Sequence, residues 1–233
     1  MSFDSQMMHS PTSSQNDFTS YLDDADAVRN GITAFKADPR MQHQSLQDRS
    51  QLINSFSLTS SVPQSVQVHF ETAKNLYLYA WFVYRFHMVA EQYAFSTLEL
   101  ALRERLIESG LISSNRLPGL SGMLKLAHSK SMITNERLVR RNDWAMRIAQ
   151  NRYKHNEMRR MIEGGISQLA IDESLAVPTA EESNFDWIDH FIQHIPVQRN
   201  SHAHGTTSLY PNVLWTFEIV TELINQLFSA HQE

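Results

Sequence analysis

Leu76-Tyr77-Leu78-Tyr79-Ala80-Trp81-Phe82-Val83-Tyr84 is the stretch whose reading decides the fold. It lies inside a run after Pro63 in which no glycine or proline appears until Gly110. Apolar residues on nearly every helical face mark a helix buried on several sides. Farther on the pattern narrows to one stripe, Phe95, Leu98, Leu102 and Leu106, while Glu99 and Arg103 make an i,i+4 pair. The spacing predicts one very long aromatic-rich helix of about forty residues, capped by Ser61 or Ser65, with a break near its middle as the alternative. The aromatic density also suits a base-stacking platform. Helical spacing amid aliphatics favours core packing instead.

Downstream segments continue the helical pattern. Gly110 and Pro118-Gly119 punctuate the chain, and Leu120 to Ala127 predicts a short helix. Thr134 or Asn135 is the expected cap of a long segment through Met161, stopped by Gly164-Gly165. Asn184 is expected to cap a helix over 185–195 that Pro196 closes, and Pro211 to open a last helix over 213–228. That last helix carries a broad apolar face of Leu214, Phe217, Ile219, Val220, Leu223 and Leu227. Together these segments predict an all-α helical bundle over residues 64–233. Residues 1–63 differ, being rich in Ser, Gln, Asn and Asp with sparse hydrophobics. They predict a polar N-terminal arm, partly disordered, with Tyr21-Leu22 and Leu52 to Phe56 as its anchoring points.

Composition narrows the function classes. A hydrophobic fraction of 42% gives 233 residues an ample core, and seven glycines and seven prolines argue against a sandwich of many short strands. The absence of cysteine excludes disulfides, thiolate zinc sites and a cysteine nucleophile, and it suits a reducing cytosol. The first twenty residues lack the basic-then-apolar order of a signal peptide. The apolar run from Leu76 to Ala90 carries Arg85 and His87 and meets Glu91, so it is not a clean membrane span. A cytoplasmic protein without membrane contact is therefore expected. The net charge of −5 leaves room only for local basic patches. One candidate is Arg140, Arg141, Arg147, Arg152 and Lys154, a track for an RNA backbone on the sharper reading and an ordinary solvated face on the plainer one.

The chemistry concentrates in Arg199-Asn200-Ser201-His202-Ala203-His204-Gly205, between the last two helical segments. A guanidinium grips phosphate oxygens and an imidazole moves protons near neutral pH. A loop-to-helix corner suits an anionic substrate, because a helix N-terminus offers unpaired N–H groups and the positive end of its dipole. In RNA the substrate brings its own nucleophile, the 2′-hydroxyl. A base and a cation at the crowded phosphorus then suffice without a metal. Arg199 and His204 are the candidates for catalysis, with Asn200 orienting them or the phosphate. His202 is expected to be solvated or beside the substrate. Glu91, Glu99 and Arg85 are expected to find partners within the bundle, Glu99 alternatively buttressing Arg199.

At Arg199, Asn200, His204 and Gly205 the chain resembles the HEPN superfamily, and Glu99-Leu100-Ala101-Leu102-Arg103 resembles the early helix of several of its groups. The resemblance spans about residues 64–230. It implies a homodimer whose two motifs face each other, and a metal-independent endoribonuclease with no cofactor that leaves a 2′,3′-cyclic phosphate. It also implies RNA as substrate and the setting of toxin–antitoxin, phage-defence or RNA-processing systems, with an antitoxin or other protein as a further partner. Some relatives of this kind are inactive scaffolds, so a non-catalytic helical module that binds RNA or protein is the alternative.

Two further readings compete at the same residues. His190, His194, His202 and His204 supply four imidazoles for zinc, but Phe191 stands where a zincin carries its glutamate. Alternatively, Arg199 and His204 simply cap helices, Arg199 binding the last carbonyls of the preceding one.

Overall fold

The run from Gln64 to Ser109 folds as two helices, not one. The computed structural model describes residues 37–41, 43–203 and 213–229. In it α1 covers Leu46–Asn54, α2 covers Gln64–Tyr79 and α3 covers Phe86–Glu108. No residue between Ala80 and Arg85 forbids a helix; packing makes the break. An unbroken rod of this run would extend roughly 65 Å and could not bury an all-round apolar surface in its own bundle. Turning back lets α2 and α3 bury each other as antiparallel neighbours. Ser65, in the first turn of α2, accordingly donates to the Glu104 carboxylate near the end of α3, at 2.8 and 2.9 Å.

The reversal is held from outside by the segment before α1. The Asp38 N–H donates to the Trp81 carbonyl (2.9 Å), the Tyr84 N–H to the Asp38 carboxylate (3.4 Å), and the Trp81 indole to the Gln44 carbonyl (3.0 Å). Ile53, Phe56 and Val62 are buried in the main core. The described residues before α2 thus pack on the helical body through Ile53, Phe56 and Val62, two of which lie in the Leu52 to Phe56 anchor. Beneath the reversal Arg49 lies 4% exposed and His87 2% exposed. The Arg49 guanidinium donates to the Tyr77 carbonyl (2.9 Å), the Gln44 amide oxygen (2.9 Å) and His87 Nε2 (3.0 Å). His87 Nδ1 in turn donates to the Tyr84 carbonyl at 2.9 Å. Arg49 thereby closes the C-terminus of α2.

α3 is the axis of the bundle. α2 covers one side, and α8, Val213–Phe228, covers another. Phe217 of α8 sits at the junction, its ring centroid 5.7 Å from Phe70, 6.1 Å from Tyr77 and 6.4 Å from Phe56. Each such fully buried side chain contributes roughly 1.5–3 kcal/mol. At its far end α3 stops at Gly110, whose φ of +68° suits glycine, and the Leu111 N–H reaches back to the Leu106 carbonyl at 2.9 Å. α4, Leu120–Ser129, then packs on α3.

α5 covers Arg141–Glu163 and buries only Trp144, Ala145 and Ala149, all on its first turns. Its far half is exposed, and the short α6, Ala180–Ser183, packs beside it. Asn135 does not cap this helix. Its side-chain oxygen instead accepts the N–H groups of Trp187 (2.9 Å) and Ile188 (3.1 Å), at the start of α7, Trp187–Ala203. Asp186 accepts the N–H of Asp189 at 2.9 Å, so it takes the capping role expected of Asn184.

Pro196 does not close α7. The helix runs through it to Ala203, although proline removes the bond to the carbonyl four residues earlier. Ile188, Phe191, Ile192 and Ile195 are all buried on this helix, and their packing holds it across the defect. Among the described residues there is no strand, only an isolated bridge between Ser113 and Arg116. The fold is all-α, and no helix among these residues is long and apolar enough to cross a membrane.

Candidate functional site at the end of α7

Because α7 continues, Arg199, Asn200 and His202 stand on its last turns instead of in a loop. His204 and Gly205 lie outside the described residues, as does the chain up to Asn212. Arg199 faces α3, where its Nη2 meets the Glu99 carboxylate at 2.8 Å. The two side chains are 31% and 32% exposed, so in water this pair contributes under about 1 kcal/mol to stability. Glu99 therefore buttresses Arg199, and Arg199 is not a cap on the carbonyls of its own helix. Its Nη1 reaches the side-chain oxygen of exposed Asn200 at 3.3 Å, and its Nε has no partner.

His202 turns the other way and is not solvated. Its side chain is 10% exposed, with Nε2 at 3.0 Å from the Glu91 carboxylate. The ring stacks over Phe95, centroids 6.4 Å apart, and the other Glu91 oxygen accepts the Thr216 hydroxyl at 2.6 Å. This tie joins α7, α3 and α8 directly beneath the motif. It also removes His202 from any shared histidine set. His190 and His194 do meet, ring centroids 4.1 Å apart and planes tilted by 43°, on an earlier turn of α7. Burial, with the neighbouring His194 charge, pulls His190 below the usual imidazole range. Among the described residues no group of three or more His, Asp or Glu side chains is arranged to hold a metal ion.

Arg199 opens on a cleft of about 270 Å³. Its polar lining is His69 from α2, then Ser96, Glu99 and Arg103 from α3, and Arg199 itself. Arg103 is exposed and stands one helical turn from Glu99, so a second guanidinium lines the same cleft. The arrangement can receive an anion, since Arg199 lends donors without leaving its buttress. His69 carried no local signal in the sequence, standing in an apolar helix with no motif around it. The Glu91–His202 pair was equally illegible, its members being far apart in the chain.

The basic residues of the α5 region are placed among acids. Arg140 and Arg147 converge on one oxygen of buried Glu218, at 2.8 and 2.6 Å. Arg152 holds Glu182 at 2.8 Å and Lys154 holds Glu173 at 2.7 Å, while Arg141 sits half-buried in the first turn of α5. The Arg152 guanidinium, with the Thr179 N–H, draws Glu182 down to about 2. Arg140 and Arg147 also border a second cleft, of about 550 Å³, together with Trp144, Trp187 and Trp215. No protein-family model matches this chain, and neither a curated protein nor a solved structure matches it.

Proposed function

We propose that the protein is a metal-independent endoribonuclease of HEPN type, in which Arg199 stabilises the crowded phosphorus, His204 transfers a proton and Asn200 positions the linkage. The observation that carries this reading is Arg199 itself. Its guanidinium is anchored on Glu99, partly exposed, and set with Arg103 on a cleft that can take an anion. The 2′-oxygen attacks the adjacent phosphorus as its proton leaves, and the 5′-oxygen departs with a proton, giving a 2′,3′-cyclic phosphate. As a homodimer the protein would bring two motifs face to face. RNA is the substrate class and a toxin–antitoxin or phage-defence system the setting, with an antitoxin-like protein as its regulator.

A second reading has its own support. Glu99 already occupies Arg199 and Glu91 already bonds His202, which suits a non-catalytic module that binds RNA or a protein through the same corner. Incubating the full chain with mixed RNA in EDTA, and analysing the new ends, separates the two. Cyclic-phosphate ends lost in His204→Ala support cleavage. Intact RNA with clean protein supports the binding module, and activity that EDTA abolishes and zinc restores supports the histidine metal site.

A further inference from the structure

The second cleft, of about 550 Å³, has no part in the chemistry at Arg199, and no residue lines both. Its size falls within the roughly 300–1,000 Å³ of sites that enclose a small ligand. One wall is built in layers. Trp144 and Trp187 lie buried with ring centroids 5.0 Å apart, and Trp215 packs on both, at 5.3 and 5.9 Å. The Arg147 guanidinium lies over the Trp215 ring, 5.2 Å from its centroid, with Nη2 bonded at 2.6 Å to the buried Glu218 carboxylate. Arg140 bonds the same oxygen at 2.8 Å and lies 5.5 Å over the Phe56 ring. Each guanidinium is thus fixed by a carboxylate at one edge and a ring on one face. Arg140 and Arg147 are nonetheless 36% and 44% exposed, and among the described residues each makes that one hydrogen bond. Glu222 stands farther off, 4.0 Å from Arg140 and outside the lining. Two cations against one carboxylate leave the lining positive in a chain of net charge −5.

A ligand that uses all of these groups is flat where it meets Arg147 and anionic beside it. A planar ring laid on the outer face of Arg147 continues the tryptophan stack, since guanidiniums pair with π-faces. A phosphate next to that ring meets the unused N–H donors of Arg140. An acidic peptide would satisfy the charge without using the stack. We propose that this cleft holds one unpaired nucleotide of a single-stranded RNA, its base on the Arg147–Trp215 stack and its phosphate on Arg140. Every base has a π-face, so the hold is tolerant of sequence. The proposal rests on RNA as the substrate class and deepens that reading, giving the strand a grip apart from the Arg199 cleft. Of the basic track expected along α5, only Arg140 and Arg147 take part; Arg152 and Lys154 are paired with Glu182 and Glu173 outside the cleft.

The test titrates the full chain against a fluorescein-labelled, uncleavable 2′-O-methyl RNA oligonucleotide of mixed sequence, read by anisotropy. Cleavage of the unmodified strand in EDTA is measured beside it. Arg147→Lys keeps a cation for Glu218 but has no flat face, so a purely structural ion pair survives it. It is expected to weaken binding roughly 5–150-fold, the scale of one lost base stack. Trp215→Leu is expected to act alike, and Arg147→Lys decides alone if that variant does not fold. Arg152→Gln, exposed and outside the cleft, should bind as wild type does. A strand of the same length without bases should not distinguish Arg147→Lys from wild type. Unchanged affinity of the mixed strand in Arg147→Lys overturns the site, and cleavage by wild type then leaves the ribonuclease reading standing. Weakened binding in Arg147→Lys with RNA left uncut by wild type keeps the cleft and overturns the ribonuclease reading. A wild type that does not bind the oligonucleotide overturns the nucleotide and leaves the cleft to a protein segment.

Discussion

Two arginine–histidine clusters abut α3, and their contrast separates scaffold from chemistry. At its start Arg49 and His87 are sealed. The guanidinium is held by a carbonyl, an amide oxygen and a neutral ring, with Tyr77 stacked 4.1 Å away. Burial pulls His87 down to about 4, the Arg49 charge adding to the effect, so this ring stays uncharged near neutrality. Farther along, Arg199 and His202 are matched by carboxylates, and Arg199 faces a cleft. The residue types are the same. What differs is the charge of the partner and the reach of solvent. A cation wrapped in neutral acceptors has nothing to lend a substrate, whereas one propped on a partly exposed carboxylate does.

The widest separation is expected in turnover. His204→Ala and Arg199→Ala should each slow RNA cleavage by roughly 10²–10⁴, while His87→Gln, in the sealed cluster, should leave the rate per folded molecule unchanged. A fluorogenic RNA assay in EDTA reads all three, and an equal loss in His87→Gln would erase the distinction. Stability should rank the clusters in the opposite order. Arg49→Met strands the Tyr77 carbonyl and His87 Nε2, and should cost about 2–4 kcal/mol in urea unfolding. Glu99→Gln, in a pair about one-third exposed, should cost under about 1 kcal/mol.

Acid should find the sealed cluster as well. His87 takes its proton near 6.5 in the unfolded chain and near 4 in the folded one. Between those values the unfolded state binds more protons, so stability falls as pH drops through that window. The loss should reach about 3 kcal/mol by pH 4, and His87→Phe should flatten it in chemical denaturation run at several pH values. The smallest stabilising change belongs to α7. Pro196→Ala restores a backbone donor to the Ile192 carbonyl and should raise stability by about 1 kcal/mol. A drop in stability would mean that the packing around Pro196 requires its ring.

The all-α class and the extent of α8 could be read from periodicity, because an apolar face such as that of Phe217, Val220 and Leu223 repeats within the helix itself. The end of α3 was equally local, resting on Gly110. The reversal at Ala80–Arg85 was not, since Trp81, Phe82, Val83 and Tyr84 bear no breaker and the cause is packing against α3 and residues near Asp38. Pro196 misled for the complementary reason: a local rule predicted a stop, and buried Ile192 and Ile195 override it. At the site, Arg199 and Glu99 could be singled out one by one. That His69 would share their cleft depended on how α2 folds back on α3, which no spacing encodes.

α7 can be regarded as a beam tied at its far end by His202 to Glu91 and pinned at its near end. Asn135 and Asp186 fasten its first N–H groups, and Arg199 rides about 18 Å away at 1.5 Å per residue. Over that length a tilt of about 5° moves the far end by roughly 1.5 Å, enough to part a 2.8 Å contact with Glu99. A misplacement of about 1 Å can cost on the order of 10² in rate. Asn135, touching nothing in the cleft, thus holds leverage over it, and slack at that distant pin is amplified at the guanidinium.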